Sequence, residues 1–506
     1  MPLRRVRPFL FSLLLSGAAG LAPSAGAVPA AIQYELLRPV ADSAPVPSGK
    51  RVPAGWLAFA VGESPVVLRC PEARDLAPGA GYALRLTTAL DDRETRLVEV
   101  TVAATGRPLG RLDLRFAHAL ETFQLPLTPA QASEVSASGV ALRLAGGGAP
   151  LWFLHGADGA TALPRELQPH VMIARADAAP TIEFHRRLAS LASLQPFGWM
   201  EGCVLEGLRD LADRAPSGPY RAAREAHWRV FLPAGDRLVF EDPRSEPRDH
   251  RLHSIEDGLP FADLARWQPA GAGVGLFIDY CVKLRRADGA IQGGNMLSAE
   301  GSITIAYPLA VIAAARNRPD LAALAVEQLN VRRQRLWHDG ALWLRHYDDG
   351  RRTFRGWARG VAWHVLGTAR SLGALRGEGQ LGPIEADLRR AADWLLPLQR
   401  PDGLWSCFVE DRDSPPDTSG SAGIAAALAH GARLGVLPPA AGAAARRTLA
   451  ALQRHLTPDG LLGGAAQSNR GGETLQRSDY RVLSQMGMGL LAQLIAECGE
   501  IPALGP

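Results

Sequence analysis

The chain lacks the patterns that mark several common classes of protein. It has no G-x-S-x-G elbow, no H-E-x-x-H helix and no phosphate-cradling Gly-rich loop, which argues against a serine hydrolase, a zinc peptidase and a nucleotide enzyme. Its five cysteines, Cys70, Cys203, Cys281, Cys407 and Cys498, are far apart and form no C-x-x-C pair. No metal site is expected from them, and in a chain with large cores buried free thiols are the expected state. Long basic runs are missing as well. The 55 basic residues, in excess through Arg, are nearly balanced by 51 acidic ones for a formal charge of +4, which gives no basis for nucleic-acid binding. No cofactor is expected.

Long apolar runs are absent after the N terminus, so no membrane span is expected. The first residues have a basic start (Arg4, Arg5, Arg7), an apolar stretch from Phe9 to Leu21 and an A-x-A site at Ala25-Gly26-Ala27. Interrupted by Ser16 and Gly17, this stretch reads as a secretory signal over 1–27 rather than an anchor. The expected location is therefore the periplasm or the cell exterior.

What is present is 506 residues with 47% hydrophobic content, enough for two domain cores. Residues 28–180 hold short alternating runs, among them "YALRLTTAL", "TRLVEVTVAA", "GRLDLRFAH" and "GVALRLAGG". Separated by Gly, Pro, Asp and Ser turns, they predict a β-sandwich. With few acid, base or nucleophile clusters it reads as an accessory domain, and Trp56 and Trp152 as core residues. From 181 to 506 the periodicity is helical, with about twelve candidate helices. Asp-Gly followed by an apolar residue recurs after helices at Asp288, Asp339, Asp402 and Asp459, spaced 51, 63 and 57 apart. That is the length of a helical hairpin, so the pattern predicts stacked hairpins closing into an (α/α)6 toroid.

Candidate chemistry gathers in a few segments. In "GWARGVAWHVLG" (356–367) Arg359 and Trp363 share a helix face, Gly360 permits close approach and Trp357 stands at the helix start. An indole offers a flat surface to a sugar ring, and a guanidinium offers a fork to a carboxylate. His346 lies thirteen residues before Arg359, in a segment expected to loop over the same end of the barrel. Glu300 is the sole carboxylate between Asp288 and Asp320 and begins an inner-helix pattern. "HSIEDGLPF" (253–261) supplies His253, Glu256 and Asp257 ahead of another helix.

"GWARGVAWHVLG" resembles the W-x-R-G-N-G-W signature of the unsaturated glucuronyl and rhamnogalacturonyl hydrolases, glycoside hydrolase families 88 and 105. Also similar are "FGWMEGCVLEGL" (197–208), "IEDGLPF" and the late "GLW…TSGSAG" helix start, so the resemblance spans roughly residues 184–498. It implies an (α/α)6 fold and removal of a 4,5-unsaturated uronic acid from lyase-generated oligosaccharides. It implies hydration of a C=C bond by a single acid/base rather than displacement at the anomeric carbon. Carried across, the catalytic acid falls on Glu300 and the second acidic residue on Asp257, with Glu256 one step away. Trp199, His346, Trp357, Arg359 and Trp363 fall on substrate-binding positions, with Trp199 at the barrel mouth. The chain departs from the family at Glu300, where Asp is usual, and at Val361-Ala362, which replace Asn-Gly. Two other readings stand beside this one: a polysaccharide lyase, and a periplasmic glycan-binding protein that has lost the chemistry. The binding reading predicts that Glu300 points away from the pocket holding Arg359 and Trp363, and the enzyme reading that they converge.

Overall fold

The computed structural model describes residues 31–40, 45–71, 76, 79–156, 163–377, 381–499 and 501–502. The leader expected over 1–27 lies outside them. The N-terminal region is β-rich, with β1 (Ile32–Leu36), β2 (Arg38–Pro39), β3 (Leu57–Val61), β4 (Val66–Arg69), β5 (Gly81–Thr87) and β6 (Thr95–Val102). It continues with β7 (Pro108–Arg115), β8 (Thr122–Leu127), β9 (Val140–Ala145), β10 (Leu151–His155) and β11 (His170–Ala174). Their ladders are antiparallel and form sheets in the order β1-β11-β5-β8 and β2-β4-β9-β6-β7, with β10 paired to β3. Alternation decides which side is apolar: on β6, Val98, Val100 and Val102 turn inward. They meet Leu84, Leu86 and Phe123 of the other sheet in one core. A helix that the alternating pattern did not announce, α1 (Pro129–Ser138), follows β8. Its start is a capping box in which Thr128 accepts from the Gln131 backbone and the Gln131 side chain accepts from the Thr128 backbone.

The helices that follow are of two kinds. Those buried nearly all round are α3 (Trp199–Arg214), α5 (Pro260–Trp267), α7 (Tyr307–Arg316), α9 (Ala358–Ala374), α11 (Thr418–Arg433) and α14 (Gln485–Cys498). Each packs against the next, and α14 packs against α3. The helices between them are α2 (Pro180–Leu188), α4 (Tyr220–Phe231), α6 (Ala272–Leu284), α8 (Pro319–Arg335), α10 (Gly382–Leu395) and α12 (Pro439–Gln453), besides the short α13 (Gly472–Arg477). Those six bury a single stripe, such as Ile384, Leu388, Ala391 and Leu395 on α10, and pack outside the first set. Small residues let the inner helices approach closely: a Cβ on Gly489 of α14 would overlap the Cys203 carbonyl of α3.

The Asp-Gly repeat marks the turns from an outer helix to the next inner element. Gly289, Gly340, Gly403 and Gly460 have φ of 83°, 75°, 91° and 84°, a left-handed conformation that favours glycine. The fourth of these turns also joins the two regions. Asp459, 1% exposed, receives Arg85 of β5 at 2.5 Å and Arg187 of α2. Burial would raise its carboxyl, but the two guanidiniums prevail and hold it well below the usual carboxylate range.

Asp459→Asn leaves Arg85 and Arg187 buried without their counter-charge, and denaturant unfolding is expected to show a loss of about 3–5 kcal/mol. Because the folded carboxyl is depressed, its stabilisation is complete above the unfolded value of about 4 and fades as the pH falls below it. The gap between wild type and variant should therefore narrow in acid.

Candidate active site

The first turns of α3 and α9 and the segments ahead of α5 and α7 meet around one cavity, and most of the residues expected to carry chemistry gather there. Glu300, Arg359, Trp199, Trp357 and Trp363 all line it. Glu300 thus converges with Arg359 and Trp363, the arrangement that the enzyme reading predicts. Glu256, His118, Ser468, Asn469 and Arg470 complete the lining.

The two acids arrive on separate elements. Glu256 lies in the helical turn Ile255–Gly258, capped by Ser254, whose Oγ accepts from the Glu256 backbone at 3.2 Å. The next residue, Asp257, faces away from the cavity. Its Oδ2 accepts from the backbones of His253 at 2.7 Å and Ser254 at 2.9 Å, closing the capping box. The carboxylate expected of Asp257 is therefore supplied by its neighbour Glu256, because the cap requires one acid of the pair to turn inward. Burial first, then the charges of Glu300 and Asp257, push Glu256 up to about 7 against the pull of Arg470 and Arg345.

Glu300 follows β12 (Met296–Ser298) and precedes a π-helical turn, Ser302–Ala306, that leads into α7. Such turns recur at functional sites because they re-aim the residues beside them. The segment is held from behind by the fully buried Arg332, which donates to the carbonyls of Ser298 at 3.1 Å and Ile291 at 2.8 Å. Below the turn, Ser302 Oγ lies 3.0 Å from His364 Nδ1, and His364 Nε2 lies 2.7 Å from Asp387 Oδ2. The order is that of a Ser-His-Asp triad. Yet Ser302 and His364 are 0% and 1% exposed and are not among the cavity-lining residues, so the set ties the π-helical turn, α9 and α10 together.

His346 is not in the cavity. The segment expected to loop over the barrel is a hairpin of β14 (Ala341–Tyr347), which follows the short β13 (Trp337–His338), and β15 (Arg352–Arg355). His346 sits in the ladder opposite Leu297 and Arg352. The alternation in "ALWLRHY" was the sign of this strand. Gly360 makes room for the hairpin: a Cβ there would lie 2.9 Å from Leu344.

Arg359 reaches the cavity with its fork already engaged. Nη1 donates to the carbonyl of Ala466 at 2.9 Å and Nη2 to that of Gln467 at 2.5 Å, and the guanidinium lies over the Trp357 ring at 4.9 Å. It clamps the loop that carries Ser468, Asn469 and Arg470. Trp357 and Trp363 are each 2% exposed, so they wall the cavity, while Trp199 is the more accessible ring and meets Trp363 edge-on at 5.6 Å. Arg470 was not singled out in the sequence. Its Nη1 is buried without a hydrogen-bond partner, with Asp91 at 3.9 Å. Among the described residues no group of His, Cys, Asp and Glu is arranged to hold a metal ion.

Glu256 and Glu300 are brought together because Gly258 packs directly on the π-helical turn, where a Cβ would overlap the Thr304 carbonyl oxygen. Gly258→Ala is expected to lower stability by about 1–3 kcal/mol through this overlap. Thermal unfolding beside Gly275→Ala, where a Cβ meets nothing within 4 Å, provides the check.

Residues 305–500 match the sequence model of Glycosyl Hydrolase Family 88. No curated protein matches the chain. Among solved structures, a possible member of family GH105 from Klebsiella pneumoniae is 15% identical with a TM-score of 0.54, over 64% of this chain and 93% of that one. A family 105 glycoside hydrolase from C. acetobutylicum is 16% identical with a TM-score of 0.54, over 62% and 99%. A protein described as a polysaccharide lyase is 17% identical with a TM-score of 0.50, over 64% and 97%. At these identities the structural likeness is one of fold. The helical region thus shares the fold of these proteins, and residues 305–500 carry the sequence pattern of glycoside hydrolase family 88.

Proposed function

We propose that this protein is an exported unsaturated uronyl hydrolase. In this reading a β-sandwich is joined to an (α/α)6 toroid whose pocket takes the terminal 4,5-unsaturated uronic acid of an oligosaccharide left by a polysaccharide lyase. The observation that carries the reading is the pair of carboxylates, Glu256 and Glu300, in one cavity walled by three tryptophans. Two like charges placed together share a proton more readily than they both ionise. Below a pH of about 7 that proton resides on Glu256, held up by burial and by the charge of Glu300.

Hydration then needs few parts. The shared proton is delivered to C4 of the substrate, and water adds at C5 while giving its own proton to the carboxylate partner. The product is a hemiketal at C5. Its C5–O5 bond opens to a ketone, O5 becomes the hydroxyl of a hemiacetal at C1, and collapse of that hemiacetal to an aldehyde releases the remaining sugar as an alcohol. Trp199 offers the sugar an apolar face. The fold is shared with a protein described as a lyase, but a lyase of the Tyr/His kind needs a tyrosine base, and no tyrosine lines this cavity among the described residues.

The test is incubation with unsaturated di- and trisaccharides from pectin, ulvan and glycosaminoglycans, following loss of the ultraviolet absorbance of the double bond. Glu256→Gln and Glu300→Gln are each expected to slow the reaction by about 10²–10⁴-fold. The wild-type rate should fall as the pH rises through about 7, because the proton needed at C4 is lost there. No reaction on any of these substrates overturns the assignment, and an unchanged rate in either variant overturns that residue's role. N-terminal sequencing of the exported protein tests cleavage after residue 27.

A further inference from the structure

One wall of the cavity is not supplied by the helical region. His118, in the turn between β7 and β8, lies against the edge of Trp199 with ring centroids 6.0 Å apart and lines the cavity with Glu256, Glu300 and Arg470. The turn is built to hold it there. Phe116 and Leu120, on either side, have φ of 52° and 64°, a left-handed conformation that is costly for such residues and persists only where the surroundings impose it.

Those surroundings come from both regions of the chain. Thr88 Oγ1 donates to the His118 carbonyl at 2.5 Å, and Glu121 Oε2 accepts from the His118 backbone at 2.9 Å. Across the boundary, Gln485 of α14 donates to the Leu120 carbonyl at 2.9 Å, and Gln467 donates to Glu121 Oε1 at 2.8 Å. Gln467 belongs to the same loop that Arg359 clamps. Each of these bonds acts on the backbone of the turn or on Glu121, and among the described residues no hydrogen bond is made by the His118 ring. Burial, with Arg470 and Arg359 nearby, lowers its pKa well below the ordinary value. Near neutral pH the ring is thus an uncharged group with one donor and one acceptor.

We propose that the N-terminal β-region is part of the sugar-binding pocket, with His118 hydrogen-bonding a hydroxyl of the uronide held against Trp199, as a specificity-determining residue. This rests on the uronide reading above but concerns recognition, so it is read out by binding as well as by turnover. His118→Phe keeps an aromatic ring against Trp199 without a hydrogen bond, and His118→Gln keeps a donor and an acceptor without the ring.

The experiment uses the full-length protein and follows tryptophan fluorescence on titration with unsaturated uronic-acid disaccharides, beside KM and kcat on the same sugars. In His118→Phe, Kd and KM are expected to rise about 3- to 10-fold, the size of one neutral hydrogen bond, with kcat within about twofold. His118→Gln is expected to recover part of the loss. A wild-type Kd in His118→Phe makes the contact one of packing and overturns the proposal, as does a loss of the same size in both variants. Binding without turnover by wild type sinks the hydration reading and leaves the His118 comparison to be decided on Kd. No binding of any uronide by wild type overturns both.

Discussion

The structure depends on six inner helices that are buried on nearly every side, each packed against the next. Such helices have no solvated face, so they pack through small residues and hold one another in place, as where Gly489 meets the Cys203 carbonyl. The first turns of α3 and α9 converge on one cavity with the segments ahead of α5 and α7. Side chains at those first turns, Trp199 and Arg359 among them, and in the segments just ahead, Glu256 and Glu300, have nowhere to point but the space at that end. The unsatisfied amide ends of the helices add a positive field there, which suits an anionic sugar. A second cavity, at the other end of α3 and α9, is lined by Arg209, Arg370 and Arg433 paired with Asp210, Asp213 and Glu497. Burial would raise Glu206 at that end, yet Arg209, Arg266 and Arg370 hold it at about 2.

Convergence alone would not pair two carboxylates, since residues in different turns of a ring need not meet. Two contacts bring them into reach. Gly258 lets the Glu256 turn sit on the backbone after Glu300, and Arg332 holds the strand before Glu300 by its carbonyls. Among the described residues Arg332 has no carboxylate in salt-bridge contact, and burial lowers its pKa to about 9. Its stabilisation comes from carbonyl oxygens that would otherwise be unsatisfied in the interior. The chain thus holds its acids through backbone contacts and leaves their side chains to the cavity.

Much of this architecture was legible beforehand, for reasons that differ by region. Helix periodicity over long segments is a strong signal, and the helix start expected at Trp357 is the N-cap of α9. The Asp-Gly repeat was informative because a turn from an outer helix to the next inner element demands a left-handed glycine each time. The hairpin of β14 and β15 was missed because a seven-residue alternation between two helices is a short pattern, and the fate of His346 followed from that. Asp257 and Glu256 are adjacent in the sequence, and only the cap, a backbone requirement, decides which one faces the cavity. Arg359 shows another limit: a guanidinium suits a carboxylate or a pair of backbone carbonyls equally well, and the sequence does not show that the carbonyls of 466–467 are there.

His118 was the least legible of the lining residues, and the reason bears on how such a pocket is built. Within its own segment it is a polar residue in a turn between two strands, with nothing to separate it from a solvated one. Its position is set by residues more than three hundred places away, Gln467 and Gln485, and by the buried contact of Arg85 with Asp459 that fixes the β-region on the helices. A pocket shared across such a boundary is only as rigid as the boundary. A charged contact of low exposure, with bonds to both sides of the turn, gives the β-region a fixed register against the ring. The cavity is thereby tied to an interface that the helical region by itself does not possess.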